Sequence, residues 1–311
     1  MNKKLIAVAL ATVTAVAPAL PASAATPSWG LDRIDSTSLD GSYSVPFTGA
    51  GVTAYVIDTG VAVSDTGFGG RASGDVDCNN HGTHVAGIIG SAQYGVATNV
   101  SIVSVKVTLN CSGSVNASDL IRGIDSVVAM HRQKGGPAVA NISIALAKNS
   151  LVDAAIERLY SAGILPVVAA SNTNADACMY SPSGVSNAFV VASINKNDYR
   201  TSNSAFGPCV DIFAPGGLIV SESLDQPTGG ITKSGTSMAA PHVTGVAALY
   251  LEKNPKAKPA EVAYALRSGA LAGVVVDAKS DNGNYLVNTA FLSGDTQFAP
   301  LEPVATQKPA R

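Results

Sequence analysis

Six runs of apolar, largely β-branched residues recur along this chain, at 52–57, 100–107, 138–144, 164–170, 188–194 and 210–213. A strand with one wet face alternates apolar and polar residues. Runs without that alternation must be covered on both faces, the condition of a parallel sheet with helices on each side. The segments between them supply those helices. One is expected from a Ser118 cap to about residue 133, with Asp119 in its first turn favouring the helix dipole. A second, capped by Asn149 or Ser150, ends near Gly163, and a third begins at or beside Ser237 and runs to about Lys253. This order predicts an α/β fold, a three-layer sandwich around a mostly parallel central sheet. In such sheets sites form at the carboxyl ends of the strands. Asp58, the His81 loop and Asn172 all follow expected strands or open helices.

The ends of the chain read differently. Lys3 and Lys4 precede an apolar run, then Pro18, Pro21 and Ala22-Ser23-Ala24. That is the pattern of a secretory signal peptide over residues 1–24. The run is shorter than the about 20 residues a membrane helix needs, and no other segment is long and apolar enough to span. Removing Lys3 and Lys4 from 20 basic residues leaves 18 against 22 acidic, a net charge of about −4. Mild acidity argues against nucleic acid, which calls for a basic patch. Residues 25–292 carry no linker or internal repeat and read as one domain. Residues 293–311, polar and holding Pro300, Pro303 and Pro309, read as a flexible tail.

Three short motifs carry the chemistry: Asp58-Thr59-Gly60, His81-Gly82-Thr83-His84 and Gly235-Thr236-Ser237-Met238-Ala239. They place an acid, an imidazole and a hydroxyl in the order Asp, His, Ser. A serine hydroxyl is a poor nucleophile at neutral pH and needs an adjacent base that a third group orients. Spacing alone leaves two candidates for the base, His81 and His84, three residues apart on one helical face. With their flanks, the motifs resemble the three signatures of subtilisin-type serine peptidases, most closely the proteinase K and aqualysin branch. The likeness runs from Trp29 to about Leu251 and more weakly to Leu292. The resemblance implies His81 as base, Asp58 as its orienting acid and Ser237 as nucleophile. His84 and His242 are then packed structural residues, while His131, in a polar helical stretch, reads as a surface one. Asn172, closing the run Val167-Val168-Ala169-Ala170-Ser171-Asn172, matches the asparagine that donates to the oxyanion.

The same resemblance extends to the cleft, the cysteines and a metal. It implies substrate-binding roles for Gly113, Ser114, Ser143, Ile144, Ala145, Ala170 and Ser171. Here Ala145 and Ser171 stand where the family has glycine, which narrows the pocket and implies small residues before the cleaved bond. Cys78, Cys111, Cys178 and Cys209 are even in number in a chain read as secreted, so bridges are expected over a zinc site, whose C-x₂-C spacing is absent. Four cysteines allow three pairings. The aqualysin-like branch implies Cys78–Cys111 and Cys178–Cys209, each closing a loop of roughly 30 residues. Asp211 matches a calcium-ligating aspartate, with carbonyls near Ser186 and Ala188 as partners; no catalytic cofactor is expected. The family's propeptide is not recognisable, because Trp29-Gly30-Leu31, which resembles the mature start, follows the expected cleavage site almost directly.

The expectation is therefore a secreted, monomeric serine endopeptidase acting on polypeptides, with neither nucleic acid nor membrane as partner. A catalytically idle binding protein of the same shape is the alternative. An esterase on another fold would want G-x-S-x-G and the order Ser, Asp, His, and neither is present.

Overall fold

A computed structural model describes residues 27–108, 110–226, 230–280 and 283–294. The expected signal peptide lies outside these residues, as does the tail beyond Gly294; Ser293 still closes a short 3₁₀ turn. In chain order the elements begin with α1 (Trp29–Asp35), β1 (Thr53–Asp58), β2 (Ala72–Gly74), α2 (His81–Gly90), β3 (Ser101–Lys106) and α3 (Ala117–Lys134). There follow β4 (Ala138–Ile142), β5 (Leu146–Ala147), α4 (Ser150–Ser161), β6 (Leu165–Ala169), β7 (Tyr180–Ser181), β8 (Phe189–Ile194) and β9 (Ile212–Pro215). The chain closes with β10 (Ile219–Ser221), β11 (Ile231–Lys233), α5 (Thr236–Lys253), α6 (Pro259–Ser268), β12 (Leu271–Ala272) and β13 (Tyr285–Leu286).

The main sheet has nine strands in the order β12-β13-β9-β8-β6-β4-β1-β3-β2, parallel throughout except for the β12–β13 edge pair. Successive side chains of a strand point to opposite faces. Ala54 and Val56 of β1 accordingly join the core under α2, α5 and α6, while Tyr55 and Ile57 join the core under α3 and α4. Every residue of β1, β4, β6, β8 and β9 is buried. That double burial is the physical reason for the unalternating runs, and the three-layer sandwich is the observed fold.

Local differences have local causes. α3 starts at Ala117, one residue before the expected cap, because the Asn116 side chain accepts the Asp119 N–H at 2.9 Å. Of the two caps offered for α4, Asn149 fills the role, accepting from Leu151 and Val152. α1 and α6 stand in addition to the expected helices. Pro259 opens α6, where a missing N–H costs nothing. The sheet's register pairs Ile57 with Ile142, the end of β4, so Asp58 closes β1 one position further on, where Ser143 leaves the sheet. Among the described residues no helix is long and apolar enough to cross a membrane.

Candidate active site

Asp58 closes the central strand β1 and is 1% exposed. Its Oδ1 accepts the Thr59 N–H at 2.7 Å and lies 2.7 Å from His81 Nδ1. With Nδ1–H donating to the carboxylate, the neutral imidazole carries its lone pair on Nε2. Burial pulls the His81 pKa down, but the charge and hydrogen bond of Asp58 outweigh it, so the group is held above the usual imidazole value.

His81 is the first residue of α2, whose N-terminal N–H groups need outside acceptors. Thr59 Oγ1 takes the Gly82 N–H at 2.9 Å, and Asp77 Oδ2 takes that of Thr83 at 3.0 Å. Asp77, 5% exposed, also accepts from the Thr59 and Thr83 hydroxyls and the Asn79 N–H. Sequence reading passed over this carboxylate; an acid four residues ahead of the motif histidine was the available signal. Gly82 is required for close approach: a Cβ there would sit 2.1 Å from the Gly60 carbonyl oxygen.

Ser237 is the second residue of α5, after Gly235 at φ +143°. Pro241, four residues on, has no N–H, so the Ser237 carbonyl loses its helical partner. The Ser143 hydroxyl replaces it at 2.9 Å, itself held by Asn141, which Thr244 holds in turn. The Ser237 hydroxyl donates to the Ser143 carbonyl at 3.2 Å. Asn172 stands beside this helix start. Its Oδ1 accepts both the N–H of Thr236 at 2.9 Å and its hydroxyl at 3.1 Å, which fixes the amide and leaves Nδ2 to face Gly235.

A cleft of about 400 Å³ adjoins the pair, with His81 and Asp58 at one wall and Ile144, Ala145 and Leu146 at another. Gly113 lines it, but its neighbours there are Ser112 and Val115, with Ser114 hydrogen-bonded to Ser112. The side chain of Ser143 is turned to Ser237, and Ala170 is fully buried in the core with its N–H bonded to the Val191 carbonyl at 3.0 Å, so it does not line the cleft. Ser171 is buried at φ +98°, a left-handed conformation a residue with a Cβ seldom adopts.

His84 is fully buried; its Nε2 lies 3.1 Å and 3.0 Å from the carbonyls of Ile219 and Ile231, and burial lowers its pKa to about 4. His242 is likewise buried, with Nδ1 on the Met238 carbonyl and a pKa lowered to about 4 by burial. His131 is half-buried and not on the open surface as expected, its ring edge-on to Tyr55. Cys78 is bonded to Cys111 and Cys178 to Cys209. Asp211 is buried, its Oδ2 accepting the Val190 N–H at 2.8 Å. Among the described residues no three His, Cys, Asp or Glu side chains gather into a metal cluster.

Residues 49–291 match the model of the subtilase family. The chain is 46% identical over 270 residues to alkaline serine exoprotease A of Vibrio alginolyticus, covering 83% of this chain and 49% of that protein. It is 46% identical over 275 residues to an extracellular serine proteinase of a Thermus species, covering 85% and 66%. It thus spans about half to two-thirds of these curated relatives. The crystal structure of a cold adapted subtilisin-like serine proteinase superposes with a TM-score of 0.81 at 45% identity, covering 85% of this chain and 99% of that one.

Proposed function

Because the chain belongs to the subtilase family, we propose that it is a secreted serine endopeptidase that cleaves polypeptides through an acyl-enzyme. The observation that carries the reading is the 2.7 Å contact from His81 Nδ1 to the buried Asp58 carboxylate, which presents Nε2 as a base. In the reactive geometry the Ser237 hydroxyl leaves the Ser143 carbonyl and attacks the substrate carbonyl carbon, passing its proton to Nε2. The oxyanion accepts the Ser237 N–H at the positive end of α5 and the Asn172 Nδ2–H. As the C–N bond breaks, the imidazolium protonates the leaving amine. Water activated by His81 then hydrolyses the ester. Fluorophosphonate is expected to label the parent and not Ser237→Ala. A folded parent that stays unlabelled would favour the idle binding protein.

Ala145 on the cleft wall and the Cβ of Ser171 support a preference for small residues before the cleaved bond. Higher kcat/KM on alanine than on phenylalanine peptides is expected, and equal values would count against it. Asp211, with carbonyls near Ser186 and Ala188, is read as the holder of a structural calcium ion. Its buried carboxylate tying β8 to β9 is the support. Chelation should lower the Tm of Ser237→Ala protein, and an unchanged melt would remove the ion. The apolar start and the name of the extracellular Thermus relative support export, and the supply of Asp58, His81, Asn172 and Ser237 by one chain supports a monomer.

A further inference from the structure

Asn80, immediately before His81, holds a backbone φ of +77° and is 7% exposed. Asparagine at a helix N-cap ordinarily accepts an N–H from the first turn. This one makes no such bond, because Thr59 and Asp77 already fill that role. Its amide instead reaches across to the turn after β10. Nδ2 donates to Ser223 Oγ and Asp225 Oδ2, each at 3.1 Å, and Oδ1 accepts the Leu224 N–H at 3.0 Å. Two donors and one acceptor on one short side chain are what this turn requires. Aspartate could not donate, and glycine could keep the φ but none of the bonds.

The opposite side of the same three residues is also fastened. Cys78 is bonded to Cys111, and Asn79 Nδ2 donates to the Cys111 carbonyl at 2.8 Å. Residues 78–80 are therefore pinned on one side to the 111–113 loop, which lines the cleft, and on the other to the 223–225 turn. We propose that Asn80 is a positioning residue for His81, its amide latching the neck of α2 to the 223–225 turn so that the imidazole stays in line with Asp58. With Thr59 and Asp77 still capping α2, loss of the latch leaves the helix in place and frees the backbone that aims the ring. The charges around that ring are Asp58 from β1, Asp77 from the preceding loop and Lys233 from β11.

The proposal rests on His81 as the base. Its test compares Asn80→Gly, which keeps the left-handed backbone, with Asp225→Ala, which loosens the latch from the other side. Purified full-length protein is assayed on an alanine peptide p-nitroanilide across pH, and the low-field proton resonance of the His81–Asp58 bond is recorded. Expected for Asn80→Gly is a fall in kcat of about tenfold or more, KM within about twofold, and displacement of both acid limb and resonance; the cost is that of misplacing a catalytic group slightly. Asp225→Ala should move both in the same direction by less. Parent-like kcat, acid limb and resonance in both variants would overturn the latch, as would a lower Tm with limb and resonance unmoved. A parent that fluorophosphonate fails to label defeats the base assignment alone. The resonance, which needs no turnover, then still decides whether Asn80 aims the ring.

Discussion

At the scale of single residues, the site is a matter of which lone pairs are already engaged. Asp58 Oδ1 takes two donors, and Asn172 Oδ1 takes two from Thr236, so each group keeps one function pointed at the reaction. The raised pKa of His81 has a definite sign in kinetics. A base must be neutral, so kcat/KM should rise with pH through a value above the ordinary imidazole one. In Asp58→Asn the carboxylate's pull is gone and burial remains, so the acid limb should move to lower pH while kcat drops by about 10⁴-fold as the tautomer is lost. A pH–rate profile measures both, and an unmoved limb would contradict the assignment. Asp58, His81, Ser237 and Asn172 stood out as candidates because each sits inside a short motif. The roles of Asn80 and Thr236 did not, since their partners lie as far as 145 and 64 residues away, whereas Asp77 had a local signal four residues ahead of His81.

At the scale of elements, α2 and α5 each bury a histidine against backbone. His84 faces the carbonyls of β10 and β11, and His242 turns back on its own helix. Both have pKa values lowered to about 4 by burial, against about 6.5 in an unfolded chain. The unfolded state then binds more protons between those values, so stability rises with pH across the window and is lost as pH falls from about 6.5 toward 4. The ceiling is about 3 kcal/mol for each group. His81 has the opposite sign, its contribution present below the ordinary value and lost as pH rises through its raised one. Calorimetry of Ser237→Ala, which removes self-digestion, should show a lower Tm at pH 4.5 than at pH 7. Equal values would show that neither imidazole stays neutral inside the fold. Strong helices such as α3 and α4 were readable from their caps and periodicity. α1 and α6 went unread although both carry local signals: Ser28 accepts the Leu31 N–H, and α6 opens on Pro259 with Glu261 accepting the Lys258 N–H.

At the scale of the whole molecule, the nine-stranded sheet separates two cores, and the reactive groups gather where β1, β4 and β6 end together. Residues far apart in the chain meet there. Ser143 props the Ser237 carbonyl that Pro241 leaves without a helical donor, and the turn at 223–225 holds the residue before His81. The sequence by itself determined the layered architecture, because unalternating apolar strands tolerate no solvent face, and it put the acid, imidazole and hydroxyl of the proposed triad into three short motifs. Tertiary structure alone decided which oxygen of each amide and carboxylate is engaged. It also decided that Ala170 belongs to the core, and that Ser171 carries a Cβ at a left-handed backbone position. Hydrogen bonds act over about 3 Å in space whatever the separation along the chain, and only the folded register brings those atoms within reach.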